Sequence, residues 1–163
     1  MNDNPNIRKM QSIEMEEIHS DFPYELLLFA DESKEAIDKY LPNCRVFLIK
    51  KDGQTVGVFA IQMINSDTLE LKNIAIMEAL QGKGYGKLVI DWIKDHFQAM
   101  RFKNLLAGTG DASLRQIQFY EKCGFEKFET RKSFFLDNYP EPIYENGVQL
   151  KDMVVLKTTL EKP

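Results

Sequence analysis

Apolar positions change period along this chain, and the changes predict its elements. Residues 7–15 alternate weakly, with Ile7, Lys9, Gln11 and Ile13 opposite Arg8, Met10 and Ser12, which predicts a first strand. Residues 23–40 read as helix, with Leu27, Ala30, Ala36, Ile37 and Leu41 as apolar positions and a division near Asp31. Two nearly continuous apolar runs follow at 45–50 and 55–64, and both predict strands covered on two faces. Between them, Asp52-Gly53 is a strong hairpin signal.

Residues 68–77 form a fourth strand candidate, carrying Leu69, Leu71 and the run Ile74, Ala75, Ile76. The period then becomes helical over 86–100, where Leu88, Val89, Trp92, Ile93, Phe97 and Met100 share a face. A short strand at 104–107 ends at Gly108 and Gly110. Ser113 then stands where it can N-cap a helix with Leu114, Ile117 and Tyr120 on one face, and Gly124 stands where that helix would stop. Two more strands are expected, at 125–136 and 151–160, separated by a loop holding Pro140, Pro142 and Gly147. Strands first, then β-α-β-α, then strands implies an α/β fold with a mixed central sheet of about six to seven strands flanked by helices.

At 163 residues without repeats or Gly/Ser linkers, the chain reads as one domain spanning 1–163. Charge adds exclusions: 21 basic against 25 acidic residues give a net charge of -4, the wrong sign for gripping a nucleic-acid backbone or an anionic membrane. The polar start shows no signal-peptide pattern, and the longest wholly apolar run, 26–30, is far short of the about 20 residues a bilayer span needs. A cytoplasmic setting is therefore expected. Cys44, Cys123, His19 and His96 lack zinc-ligand spacing, so no metal site is expected.

The candidate chemistry lies between the fourth strand and the helix after it, at Gln81, Gly82, Lys83, Gly84, Tyr85, Gly86 and Lys87. A glycine-rich strand-to-helix turn offers free backbone N–H groups and the positive end of a helix dipole to a phosphate. It is not a P-loop, because Gln81 stands five before Gly86 and Leu88 follows Lys87. A dinucleotide fingerprint needs its third glycine where Lys87 stands.

Gln-x-x-Gly-x-Gly after the strand 70–76 resembles the acetyl-coenzyme A signature of the GNAT superfamily of N-acetyltransferases. A second motif, Phe119-Tyr120-Glu121-Lys122-Cys123-Gly124-Phe125, is similar to that family's later helix. The resemblance covers residues 45–135 and implies the GNAT acyltransferase fold, an enzyme that uses acetyl-CoA as cosubstrate, and a set of site residues. The amides of Gly82 to Lys87 would hold the pyrophosphate, supported by Gln81, Lys83 and Lys87. Ile74, Ala75 and Ile76 would pair with the pantetheine arm. Tyr120 would be the general acid, since a phenol can protonate a departing thiolate. Glu70, eleven residues before Gln81, would be the general base, as in the histone-acetylating branch; the branch that places its base on the fifth strand has Gly108 at that position here. Ser113 replaces the asparagine with which many relatives contact pantetheine, and a hydroxyl can make one such bond.

An acetyl-cysteine at Cys123 is disfavoured, because no histidine lies in its motif. In the family it resembles, the connection between the last two strands often borders the acceptor groove; the resemblance therefore implies a small cationic amine as acceptor, since the segment 137–147 carries Asp137, Glu141 and Glu145, Tyr139 and Tyr144, and no Lys or Arg. A protein lysine or N-terminus, or a non-catalytic acyl-CoA-binding role, are the alternatives. A homodimer through an edge strand is also open.

Overall fold

The structure is a computed structural model that describes residues 13–161. Its strands are β1 (Ile13–Ile18), β2 (Cys44–Lys51), β3 (Gln54–Met63), β4 (Thr68–Ile76), β5 (Asn104–Gly110), β6 (Glu126–Arg131), β7 (Tyr144–Glu145), β8 (Val148–Gln149) and β9 (Met153–Thr159). The helices are α1 (Tyr24–Ala30), α2 (Lys34–Tyr40), α3 (Tyr85–Ala99), α4 (Leu114–Lys122) and α5 (Phe134–Asn138). Seven strands form one sheet in the order β1-β2-β3-β4-β5-β9-β6, and β7 and β8 form a separate small hairpin. All neighbours in the large sheet are antiparallel except β4 and β5.

The expected hairpin is present. Asp52 and Gly53 both have positive φ, 51° and 79°, the turn geometry whose twist matches the two flanking strands. The α3 stripe buries Val89, Ile90, Ile93 and Phe97 completely against one sheet face. Each such side chain is worth about 1.5–3 kcal/mol relative to exposure. Phe47 and Phe59 stack at 4.8 Å between ring centroids beneath that helix, with Trp92 edge-on at 5.6 Å to Phe47. Helices α1 and α2 cover the opposite face through Leu27 and Ile37, which pack on Val46, Val58, Ala60 and Ala75.

Several expectations need correction. The first strand runs to Ile18 rather than ending at 15, and its expected start at 7–12 lies outside the described residues. The strand expected over 125–136 stops at Arg131. The Asp152 carboxylate accepts the Ser133 backbone N–H at 2.8 Å, Ser133 turns the chain with φ 59°, and α5 begins at Phe134. Leu114, expected on the buried face of α4, is exposed, because that face begins only at Ile117. The loop expected at 137–149 instead contains the end of α5 and the β7–β8 hairpin.

Two irregularities in β4 position the site. Between Asn73, opposite Ala60, and Leu71, opposite Ile61, Lys72 has no partner on β3, so a bulge lies at mid-strand. The parallel pairing of β4 with β5 covers only Thr68–Leu71 against Asn104–Ala107. Beyond it, β5 continues on β9 and β4 continues on β3, so the two strands part and leave a wedge at their carboxyl ends.

Candidate active site

The wedge exposes one edge of β4. Met77 N–H bonds back to the Val56 carbonyl at 2.8 Å, so the alternation of backbone groups turns the N–H and C=O of Ile74 and Ile76 away from β3 and into the wedge. The Ile76 carbonyl is taken there by Gln81, whose side-chain N–H donates to it at 2.8 Å. Gln81 thus ties the strand end to the glycine turn. The Ala75 backbone faces β3, and its side chain is buried with α1 and α2.

Gly82 and Gly84 have φ of 73° and 88°, the left-handed region that other residues enter only with strain. These turns aim the chain into α3, which begins at Tyr85, one residue before the expected start. The first intrahelical bond runs from Leu88 N–H to the Gly84 carbonyl, so the amides of Tyr85, Gly86 and Lys87 have no helical acceptor. They are donors without a helical acceptor, at the positive end of the α3 dipole and beside the wedge. Gln81, Gly82, Lys83 and Gly84 are exposed, whereas the Tyr85 ring anchors the turn in the core. The Lys87 ammonium is paired with Asp91 at 2.9 Å on the surface.

Gly86 also sets how the second motif meets the first. A Cβ there would lie 3.0 Å from two ring carbons of Phe119, so glycine lets α4 pack on the start of α3 without displacing that ring. The contact brings Tyr120 beside the turn. Its ring packs at 5.2 Å from both Phe119 and Phe125. Burial, with a smaller contribution from neighbouring Cys123, pushes its pKa well above the usual phenol value. Tyr120 therefore stays protonated and remains a hydrogen-bond donor. Burial also pushes the Cys123 thiol up, which keeps it from being a nucleophilic thiolate.

Two expected site residues are engaged elsewhere. Glu70, expected as a free base, is 2% exposed and carries ion pairs to both Arg131 and Lys72. Burial alone would raise its pKa, but the hydrogen bonds and charges of Arg131 and Lys72 outweigh burial and hold it below the ordinary carboxylate range. Such a carboxylate is a weakened base. The signal was partly legible: Lys72 is two residues away on the strand, but Arg131 arrives from β6, sixty-one residues later. Ser113 occupies the N-cap position of α4 without capping it; its hydroxyl donates to the Glu145 carboxylate of the β7–β8 hairpin. The side chain of Met153 fills the space above Gly108, where a fifth-strand base would project.

A cluster not singled out from the sequence lies on the α1–α2 side of β4. Asp31, at the end of α1, accepts hydrogen bonds from the Tyr40 hydroxyl at 3.1 Å and the Tyr139 hydroxyl at 2.7 Å. Asn73 donates through its side-chain N–H groups to the Leu27 carbonyl and to the Tyr40 hydroxyl, both at 3.0 Å. An open depression of about 430 Å³ near the β9–β6 edge, lined by Lys127, Phe128, Lys157 and Thr159 among others, contains none of these residues and none of the glycine turn.

The protein comparisons agree with this geometry. An uncharacterized N-acetyltransferase of Bacillus subtilis (strain 168), YvbK, is 39% identical over 152 residues, covering 93% of this chain and 97% of that protein. A GNAT family acetyltransferase from Elizabethkingia anophelis, solved with acetyl-CoA bound, superimposes with a TM-score of 0.85 at 37% identity, covering 91% of this chain and 98% of the other. An IAA acetyltransferase from Bacillus cereus ATCC 14579 does so with a TM-score of 0.83 at 34% identity, covering 91% and 99%. Residues 5–125 match the acetyltransferase (GNAT) family, and with the parted strands, the glycine turn and Tyr120 in place, the chain belongs to that family of acetyltransferases.

Proposed function

We propose that this protein transfers the acetyl group of acetyl-CoA directly to a primary amine, and that the acceptor is a small cationic molecule. The observation that carries the reading is the wedge between β4 and β5, which opens beside the free amides of Tyr85, Gly86 and Lys87. The residues present fit an extended pantetheine with a pyrophosphate at one end: Ile74 and Ile76 supply a strand edge, and the start of α3 supplies positive dipole.

Acetyl-CoA supplies the activated thioester. As the amine nitrogen bonds to the carbonyl carbon and the carbon–sulfur bond breaks, the sulfur leaves with the electron pair and takes a proton from Tyr120. The nitrogen loses its proton to water, and Tyr120 is reprotonated from solvent. The raised pKa of Tyr120 makes complete proton transfer costlier, by about 1.4 kcal/mol per unit, but leaves intact a hydrogen bond that strengthens as charge builds on sulfur. Glu70 can serve as base only if the acceptor displaces Arg131 or Lys72 from it. Water is the simpler carrier.

The small-molecule reading is supported by the strap that closes one side. Tyr139 bonds to Asp31, and Lys39 bonds to the Asn138 carbonyl at 3.3 Å, so the late segment is tied to the α1–α2 corner at two points. A peptide would have to open that strap. For positive charge, Asp137, Glu141 and Tyr144 of the late segment are exposed, while Glu145 is held by Ser113 and Asp31 by Tyr40 and Tyr139. Both cysteines are unpaired, which suits a reducing cytoplasm, and among the described residues no helix is long and apolar enough to cross a membrane. A homodimer would find its free sheet edge at β6, although a bulge at Phe128 interrupts that edge.

The test is calorimetric titration with acetyl-CoA beside ATP and NAD, followed by thiol-release assays over a panel of amines. Saturable binding of acetyl-CoA alone, with turnover of at least one amine, is the expected result. Preference for ATP or NAD, or binding without turnover on any amine, would overturn it.

A further inference from the structure

Among the described residues, one buried side-chain polar atom has no hydrogen-bond partner, and it is Asn73 Oδ1. A buried amide oxygen left without a donor costs about 1–3 kcal/mol, so a chain that keeps one needs a reason for it. The amide cannot be turned over to relieve it. Its N–H groups face the Leu27 carbonyl and the Tyr40 hydroxyl, and the Tyr40 proton is already committed to Asp31. Exchanging oxygen for nitrogen would set Oδ1 against a carbonyl oxygen.

The position of Asn73 is as telling as its chemistry. It lies on β4 just past Leu71, the last residue paired with β5, and directly after the Lys72 bulge, so it stands at the apex of the wedge. Its chain neighbour Ile74 presents its amide to that wedge. The residue is 4% exposed and held in one orientation by a relay of hydrogen bonds from Tyr139 to Asp31, from Tyr40 to Asp31, and from Asn73 to Tyr40.

We propose that Asn73 is an acceptor-binding residue whose Oδ1 takes a hydrogen bond from an N–H of the attacking primary amine, with Tyr40, Asp31 and Tyr139 as the positioning residues that aim it. This rests on the N-acetyltransfer reading and names the group that reads the nucleophile. A neutral amide oxygen suits the task better than a carboxylate. It accepts one N–H of an uncharged amine and orients the nitrogen lone pair, whereas a buried carboxylate would stabilise the unreactive ammonium form. In the relay, the Asp31 carboxylate is kept one residue away, behind Tyr40.

The experiment compares wild type with Asn73→Ala and Tyr139→Phe in steady-state thiol release, using one amine that the wild type acetylates and varying amine and acetyl-CoA separately. Loss of one hydrogen bond of this kind corresponds to about tenfold in kcat/KM for the amine. The expected result is that loss in Asn73→Ala, a smaller loss of the same parameter in Tyr139→Phe, and unchanged calorimetric affinity for acetyl-CoA in both. Unchanged amine kinetics in Asn73→Ala would overturn the proposal and mean that a buried water satisfies Oδ1. If Asn73→Ala does not fold, Tyr40→Phe and Tyr139→Phe decide it: a raised amine KM at constant acetyl-CoA affinity supports the relay, and wild-type amine KM in both removes it. A wild type that binds acetyl-CoA but acetylates no amine would instead fail the parent reading, a distinct outcome because it is scored before any variant is compared.

Discussion

Gly86 packs against the ring of Phe119 so closely that a Cβ at position 86 would stand 3.0 Å from the ring carbons Cε2 and Cζ, and the ring would have to give way. This contact joins the two motifs, since Gly86 lies in the first turn of α3 and Phe119 precedes Tyr120 on α4. Gly86→Ala should therefore force the Phe119 ring to shift against the turn. Overpacking of this kind costs about 1–3 kcal/mol, so we expect a lower Tm together with a reduced kcat. Thermal unfolding and turnover of Gly86→Ala, alone and combined with Phe119→Leu to make room, check this. Failure of the second substitution to restore Tm would show that the contact is not the source of the effect.

Tyr120→Phe removes the proton donor while keeping the ring that packs on Phe119 and Phe125. General acid catalysis contributes about 10²- to 10⁴-fold, so kcat should fall by that order with acetyl-CoA affinity and Tm little changed. Because burial raises the Tyr120 pKa, the wild type should show no loss of the donor until well above the ordinary phenol range. An alkaline limb of the kcat profile near pH 10 that Tyr120→Phe removes would contradict that environment.

Gln81 ties the turn to the strand through its bond to the Ile76 carbonyl. Gln81→Ala should leave that carbonyl facing solvent and loosen the turn, giving weaker acetyl-CoA binding by a few-fold, in line with about 0.5–1.5 kcal/mol for one hydrogen bond, with kcat nearly constant. Gln81→Glu should weaken binding further, since a carboxylate cannot donate to the carbonyl and adds negative charge beside the phosphate site. Calorimetry on both variants separates the two effects.

How much was legible in the sequence follows from how local each signal is. The Asp52-Gly53 turn, the α3 stripe and the glycine turn are each written in fewer than about 20 consecutive residues; both turns stand where the pattern placed them, and the stripe differs in burying Ile90 and in leaving Met100 exposed past the helix end. The departures depend on partners distant in sequence. Ser133 leaves the strand because Asp152 captures its amide, Glu70 loses its basicity to Arg131, and Ser113 turns its hydroxyl to Glu145. Asn73 gave no signal at all. An asparagine inside a strand reads as a misfit, and its meaning depends on Leu27, Tyr40 and the end of the β5 pairing.

The ion pairs of Glu70 make a prediction that separates structure from catalysis. Arg131 from β6 and Lys72 from β4 hold its pKa below the unfolded value of about 4.3, so the folded state binds fewer protons near that pH. Stability from this group is then fully present above the unfolded pKa and is lost as pH falls through the folded one. Glu70→Gln should cost about 1–3 kcal/mol near neutrality, because two cations that are 31% and 22% exposed lose a buried partner. That deficit should shrink as the pH falls below about 4, where the wild-type carboxylate is itself being protonated. Parallel thermal unfolding of the two proteins across that range checks the sign. If Glu70 acts only as this clamp, the acid limb of the wild-type rate profile should survive in Glu70→Gln at temperatures where both proteins stay folded. If Glu70→Gln removes that limb there, Glu70 is instead the proton acceptor, released from Arg131 when the amine binds.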